Sequence, residues 1–298
     1  MPPPAAAIPA PHTIMAADGA RLFWREWPAA PWGDDAQPAM LAVPGLTRNG
    51  RDFAALAGAL PGWRLLAPDL RGRGESDWAD GGSYRPEVYL DDLAAVIAAA
   101  GVSRLVLLGS GLGGQLALAL AARVTGRPGP ALAGLVLNDA APELAPAGLA
   151  RLAGNVGRTG NWPTWMHAAR DLASRNASQH PGWQMADWLG FAKRLCCLSA
   201  SGRVVFDYDA RIADRFRAAP DAGGPALWDG LAGLALPVLA LRGALSDVVD
   251  AGTLARMAAM QPRLTAVTVP GVGHAPTLEE PAAHSALTKW LDALPRAA

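Results

Sequence analysis

The stretch Leu107-Leu108-Gly109-Ser110-Gly111-Leu112-Gly113-Gly114-Gln115 is an apolar run that breaks on closely spaced glycines and resumes as LALALAARV. The residues before the break (RLVLLG, 104–109) read as a strand, and those after it read as a helix over 112–124. A buried strand that turns sharply into a helix on glycine is the repeating unit of a sheet covered by helices, so this stretch points to an α/β fold.

The neighbouring sequence repeats the pattern. Further strands are predicted at LFWREW (22–27), AMLAVP (39–44), WRLLAP (63–68), LAGLVLN (132–138), PVLALRG (237–243) and LTAVTVP (264–270). Several are apolar throughout, as expected when both faces of a parallel strand are covered. Helices are predicted over 51–60, 86–100, 251–260 and 280–293, and Pro86 and Gly101 punctuate the second of these as a helix start and stop. The expectation is a mostly parallel sheet flanked by helices. Between Ala140 and about Gly230 the alternation stops, and the chain becomes helical and rich in tryptophan: Trp162, Trp165, Trp183, Trp188 and Trp228. This segment reads as an insertion whose aromatics either form its own core or wall an apolar pocket, and Trp162, Trp165 and Trp188 are taken as pocket candidates. The expected organisation is a loose lead-in at 1–20, a core over 21–139 and 231–298, and a helical cap over 140–230.

Composition narrows the function. The 26 basic and 26 acidic side chains cancel, so the chain has no electrostatic footprint for nucleic acid or an anionic membrane, and a neutral organic small molecule suits it better. Cys196 and Cys197 are adjacent and lack metal-ligand spacing, so no metal site is expected. The proline-rich start MPPPAAAIPAPH lacks the features of a secretion signal, and no window has the length of a membrane span; the expectation is a cytoplasmic protein. Oligomeric state is left open, a homodimer included.

Four loops stand out, each following a predicted strand, where open α/β sheets place their ligands. In VPGLTRNGRDF (43–53) Gly45 allows a sharp turn, and the Leu46 amide is a candidate oxyanion donor. PDLRGRGESDW (68–78) reads as a hydrogen-bonded structural loop, with Asp69 and Arg71 satisfying turn groups. The third is the glycine turn itself, and the fourth, PGVGHAPTLEEP (270–281), carries His274. Asp247 in LRGALSDVVD either caps the following helix or orients an imidazole.

Strand, glycine turn and helix, then a late acid and a later histidine, is the chain order of the α/β-hydrolase fold. With PDLRGRGESDW, GLGGQ and PGVGHAPTLEEP, the chain resembles the α/β-hydrolase superfamily from about Arg21 to Leu294, in the group with a helical cap. The resemblance implies His274 as general base, Asp247 as its orienting acid with Asp139 as the alternative, and the amides of Leu46 and Leu112 as oxyanion donors. It implies no cofactor, and a pocket that Gly45 and Ser110 help to line.

The family elbow Gly-x-Ser-x-Gly, laid on this chain, gives Gly109-Ser110-Gly111-Leu112-Gly113. The nucleophile position is therefore Gly111. Making Ser110 the nucleophile would put Leu108 and Leu112 where the crowded elbow needs small residues. Three readings stay open. Gly111 replaces serine in a disabled ester hydrolase; or His274 and its acid act on water or on a substrate proton, which includes non-hydrolytic lyase or cyclase chemistry; or the protein binds a small ligand without turnover. Gly109, Gly111 and Gly114 also satisfy GxGxxG, but the acidic residue expected about 20 positions on would be Asp139, about ten residues late.

Overall fold

The computed structural model describes residues 8–29, 38–79, 83–218 and 223–295. The strands are β1 (Ala10–Met15), β2 (Arg21–Trp27), β3 (Ala39–Val43), β4 (Leu65–Asp69), β5 (Arg104–Ser110), β6 (Ala131–Asn138), β7 (Cys196–Leu198), β8 (Val204–Phe206), β9 (Val238–Gly243) and β10 (Leu264–Val269). The helices are α1 (Ala54–Ala59), α2 (Pro86–Ala100), α3 (Leu112–Val124), α4 (Pro146–Asn155), α5 (Trp165–Asn176), α6 (Met185–Leu195), α7 (Ile212–Ala218), α8 (Pro225–Gly233), α9 (Ala251–Met260) and α10 (Pro281–Asp292).

Eight strands form one sheet in the order β1-β2-β4-β3-β5-β6-β9-β10. β2 runs antiparallel to both of its neighbours, β1 and β4, and the sheet strands from β4 across to β10 are parallel to one another. This is the α/β-hydrolase fold expected from the sequence. Side chains alternate along each strand, yet in the central strands neither face meets water, while the edge strands β1 and β10 expose part of their length. In β5, Leu105 and Leu107 join the cluster that holds α2, α3, α8 and α9, while Val106 and Leu108 join the one that holds α1 and α10. Both faces demand apolar residues, which is why the central strands are apolar without interruption.

The predicted lead-in needs correction. Residues 10–15 form β1, paired along its length with β2 from Ala10–Glu26 to Met15–Arg21; residues 1–7 lie outside the described residues. Pro9 and Pro11 disguise it, because proline lowers strand propensity but is tolerated at a sheet edge.

The segment between β6 and β9 is an insertion over the carboxyl ends of the strands, with α4 to α7 and the β7–β8 hairpin. α5 and α6 enclose a core of their own around Ala168, Leu172, Trp188, Ala192 and Leu195. α8 instead packs on α3, with Trp228 and Leu231 in the main core, so the end of the predicted 140–230 cap belongs structurally to the helical layer of the sheet. No helix among the described residues is long and apolar enough to cross a membrane.

Candidate active site

The turn between β5 and α3 is shaped by three glycines. A Cβ on Gly109 would run into the backbone of Gly113, and one on Gly113 would run into the carbonyl of Val43. Strand, turn and helix close together only because those side chains are missing. Gly111, between them, has φ 54° and ψ −119°, a geometry that L side chains rarely adopt. This fixes the register: position 111 is the apex of the turn. Ser110 precedes it and receives a hydrogen bond from Asn138 Nδ2 at 2.9 Å.

His274, on the loop after β10, faces that apex. A Cβ at position 111 would lie 3.1 Å from His274 Cε1 and 3.2 Å from Nε2. The other ring nitrogen, Nδ1, is 2.8 Å from Asp139 Oδ2. An ionised carboxylate only accepts, so we assign the proton to Nδ1, which leaves Nε2 as the basic nitrogen pointing at Gly111.

The carboxylate that meets His274 therefore follows β6, where the preferred expectation had Asp247. Asp139 is fully buried and also accepts from Ser246 Oγ at 2.6 Å and from the Gly243 amide at 2.8 Å. Its φ of 48° bends the chain off β6 toward these partners. Asp247 turns to α4 instead, where Arg151 donates to both of its oxygens at 2.5 and 2.7 Å. Burial pushes Asp247 up, but the Arg151 guanidinium outweighs it and holds the carboxyl below its ordinary value. The partnership decides against Asp247 because its oxygens are already occupied by a neighbour on the insertion. The dinucleotide reading loses its acidic residue for the same reason, since Asp139 is committed to His274.

Leu112 is the first residue of α3, and amides of a first helical turn have no acceptor within the helix. Leu46 follows Gly45 on the adjoining loop after β3. Its carbonyl is fixed by Arg73, a fully buried side chain of the PDLRGRGESDW loop, whose Nε donates to Leu46 O at 2.9 Å. Within the rest of that loop Asp69 receives the Glu75 amide, as expected, and the Gly50 amide, whereas Arg71 serves no turn carbonyl and pairs with Asp92 and Asp18.

A cavity of about 230 Å³ opens at this point, lined by Gly45, Leu46, Ser110, Gly111, Leu112 and His274 on the sheet side. A larger cavity of about 460 Å³ beneath α2 and α3 is lined by apolar side chains and Ser103, with no acid, base or cation to do chemistry.

Of the tryptophans, Trp183 lines the small cavity, while Trp162, Trp165 and Trp188 do not. They pack within the insertion: Trp162 sits edge-on to Phe206, and Trp188 lies behind Trp183 with ring centroids 4.6 Å apart. The helices of the insertion must bury a face against each other before they can cover anything else, and these three rings serve that need. Sequence reasoning missed the polar groups that the insertion brings in. Gln179 accepts the His274 amide through Oε1 at 2.8 Å and the Gly273 amide through its carbonyl at 2.6 Å. His180, stacked on Trp183 at 3.9 Å, is pushed down to about 4 by burial, aided by the cations around it. The run QHPGW was the available signal, a loop histidine beside a turn. Among the described residues, no cluster of three or more His, Cys, Asp or Glu could hold a metal ion.

Comparison with known proteins agrees with this fold. The family model for the alpha/beta hydrolase fold matches residues 38–281. The chain is 35% identical over 260 residues to the 3-hydroxybutyrate-oligomer hydrolase of Cupriavidus necator, covering 84% of this chain and 87% of that one. It is 29% identical to an esterase of Mycobacterium tuberculosis, over 73% of this chain and 70% of the esterase. A crystal structure of an alpha/beta hydrolase from Novosphingobium aromaticivorans superposes with a TM-score of 0.87 at 43% identity, covering 97% and 99% of the two chains.

Proposed function

The chain belongs to the α/β-hydrolase fold family, and on that premise we propose that it hydrolyses a short ester by direct attack of water, with His274 as general base and Asp139 holding it. The observation that carries this reading is the aim of His274 Nε2 at Gly111, a turn apex in elbow geometry that bears no side chain. A nucleophile there has to be a molecule and not a residue.

The steps follow from the groups present. A water above Gly111 loses a proton to Nε2 as its oxygen attacks the ester carbonyl. The new oxyanion accepts from the Leu46 and Leu112 amides, which stabilise charge that exists only in the tetrahedral state. The imidazolium, steadied by Asp139, then gives its proton to the departing alcohol, leaving a carboxylic acid and that alcohol. No acyl-enzyme forms. The relative that acts on 3-hydroxybutyrate oligomers, together with the small cavity, favours a short ester of a hydroxy acid.

The same apex also accommodates a disabled serine hydrolase. A side chain at 111 would need His274 to give by a few tenths of an ångström, and a serine hydroxyl would then meet Nε2. The test compares the protein with His274→Ala and Gly111→Ser on the 3-hydroxybutyrate dimer and on aryl esters. We expect slow turnover that His274→Ala reduces at least about a hundredfold, the low end for a general base. A rate unchanged in His274→Ala would remove His274 as the base, and no turnover above the uncatalysed reaction in the unaltered protein, with ligand still bound, would leave only a binding protein. A large gain in Gly111→Ser, with an acyl-enzyme in the mass spectrum, would instead identify a serine enzyme that has lost its nucleophile.

A further inference from the structure

Cations line the cavity from the loop after β3 and from the insertion. Arg48, Arg151, Arg175 and Arg194 all border the space that contains His274. Two of them are matched: Arg151 by Asp247, and Arg175 by Asp171 at 2.9 Å. The other two share one carboxylate. Arg48 grips Asp52 through Nε and Nη2, while Arg194 reaches the same Asp52 only at 3.5 Å. One positive charge is therefore in excess, in a largely desolvated place; Glu279 acts on Arg194 only from beyond ion-pair distance.

Two buried nitrogens beside this excess have no hydrogen-bond partner: Arg48 Nη1 and His180 Nδ1. Leaving the Arg48 donor unmade costs about 1–3 kcal/mol, and an acceptor at this place would satisfy it, with His180 Nδ1 a second donor in the Nδ1–H tautomer. The two residues flank the reacting centre. The Arg48 stem lies against the Gly45 turn, where a Cβ on Gly45 would be 3.3 Å from Arg48 Cγ. His180 adjoins Gln179, which holds the His274 amide. The aromatic ring of Phe191, 4.2 Å from the Arg48 guanidinium carbon, keeps the cation in place without neutralising it.

We propose that Arg48, Arg194 and His180 form a carboxylate subsite, which receives the free acid end of a short hydroxy-acid ester while its ester carbonyl lies over Gly111. Arg48 and Arg194 supply charge-assisted hydrogen bonds, and neutral His180 supplies a further donor through its Nδ1–H tautomer. The enzyme would then act on ester bonds near a chain end that carries a free acid. The inference rests on the hydrolytic reading of the same cavity for its substrate, but its test does not need turnover.

The experiment is calorimetric titration of the full chain at pH 7 with 3-hydroxybutyrate and with 3-hydroxybutyramide, its neutral isostere. The acid should bind at least about tenfold more tightly, the effect of one charge-assisted hydrogen bond. Arg48→Met and, separately, Arg194→Met should each reduce that preference, and added salt should weaken it. Equal affinity for acid and amide, or no measurable binding of the acid at tens of millimolar concentration, overturns the proposal without recourse to either variant. Preferred binding of the acid by a protein that hydrolyses nothing would count against the role of His274 and leave the subsite standing.

Discussion

Asp139 and Asp247 both follow strands at the carboxyl end of the sheet, and their neighbours separate them. Asp139 accepts from His274, Ser246 and Gly243, whereas Asp247 accepts from Arg151. In Asp139→Asn the amide can present its NH2 to Nδ1, which moves the ring proton to Nε2 and abolishes the base. We expect kcat on a short ester to fall by roughly 10²–10⁴, the range known for such tautomer reversal and for loss of a general base. Asp247→Asn should cost less than about tenfold, since it loosens an ion pair and leaves the imidazole alone. Equal losses in the two variants would mean that the acid has been misassigned. At this scale His274 and Gly111 were legible in the sequence, because a histidine and a glycine beside sharp turns carry their own signal. Asp139 was not singled out over Asp247, because 135 residues separate it from its partner and both aspartates satisfy the same local pattern.

Elements act on the site through loops. The α5–α6 loop of the insertion reaches the loop after β10 through Gln179, so the covering layer holds the His274 backbone directly. In Gln179→Ala that loop loses its side-chain acceptor. The expected result is a fall in kcat of about tenfold, larger than any change in KM, because the loss falls on the orientation of the base. Gln179→Glu keeps an acceptor oxygen and should recover part of the rate; a merely structural role would show no such rescue. Arg73 acts in the same way from the other side, by fixing the carbonyl of Leu46. Arg73→Met should lower kcat and kcat/KM together on any ester, if the Leu46 amide serves only the transition state. A stability measurement by urea unfolding separates this from global loss, since Arg73 also binds Tyr89 Oη and the Arg71 carbonyl. The elements themselves were largely readable: all seven strands expected from apolar runs are present, near their expected limits. β1 escaped because prolines frame it and its burial is shallow, and β7 and β8 escaped because three residues carry no periodicity.

Across the whole molecule, the insertion couples stability to pH. Burial and nearby cations lower His180 from 6.5 to about 4, so the folded protein resists a proton that the unfolded chain accepts. Between those values the unfolded state binds more protons, and stability falls as pH drops from about 6.5 toward 4. The full effect is on the order of 3 kcal/mol. Thermal melts from pH 7 to pH 4 should show this decline, and His180→Phe, which cannot take up the proton, should flatten it. A slope unchanged in that variant would place the acid sensitivity elsewhere.

The sequence by itself determined the sheet, its helical cover, the glycine apex and the loop histidine, because strand burial on two faces and close backbone approach each restrict residue type position by position. Only the tertiary structure decided which aspartate serves His274, which tryptophan reaches the cavity, and how Arg48, Arg194 and His180 meet there. Those outcomes depend on how the insertion settles on the sheet. A side chain's partner across a hundred residues is chosen by that packing, and no local pattern records it.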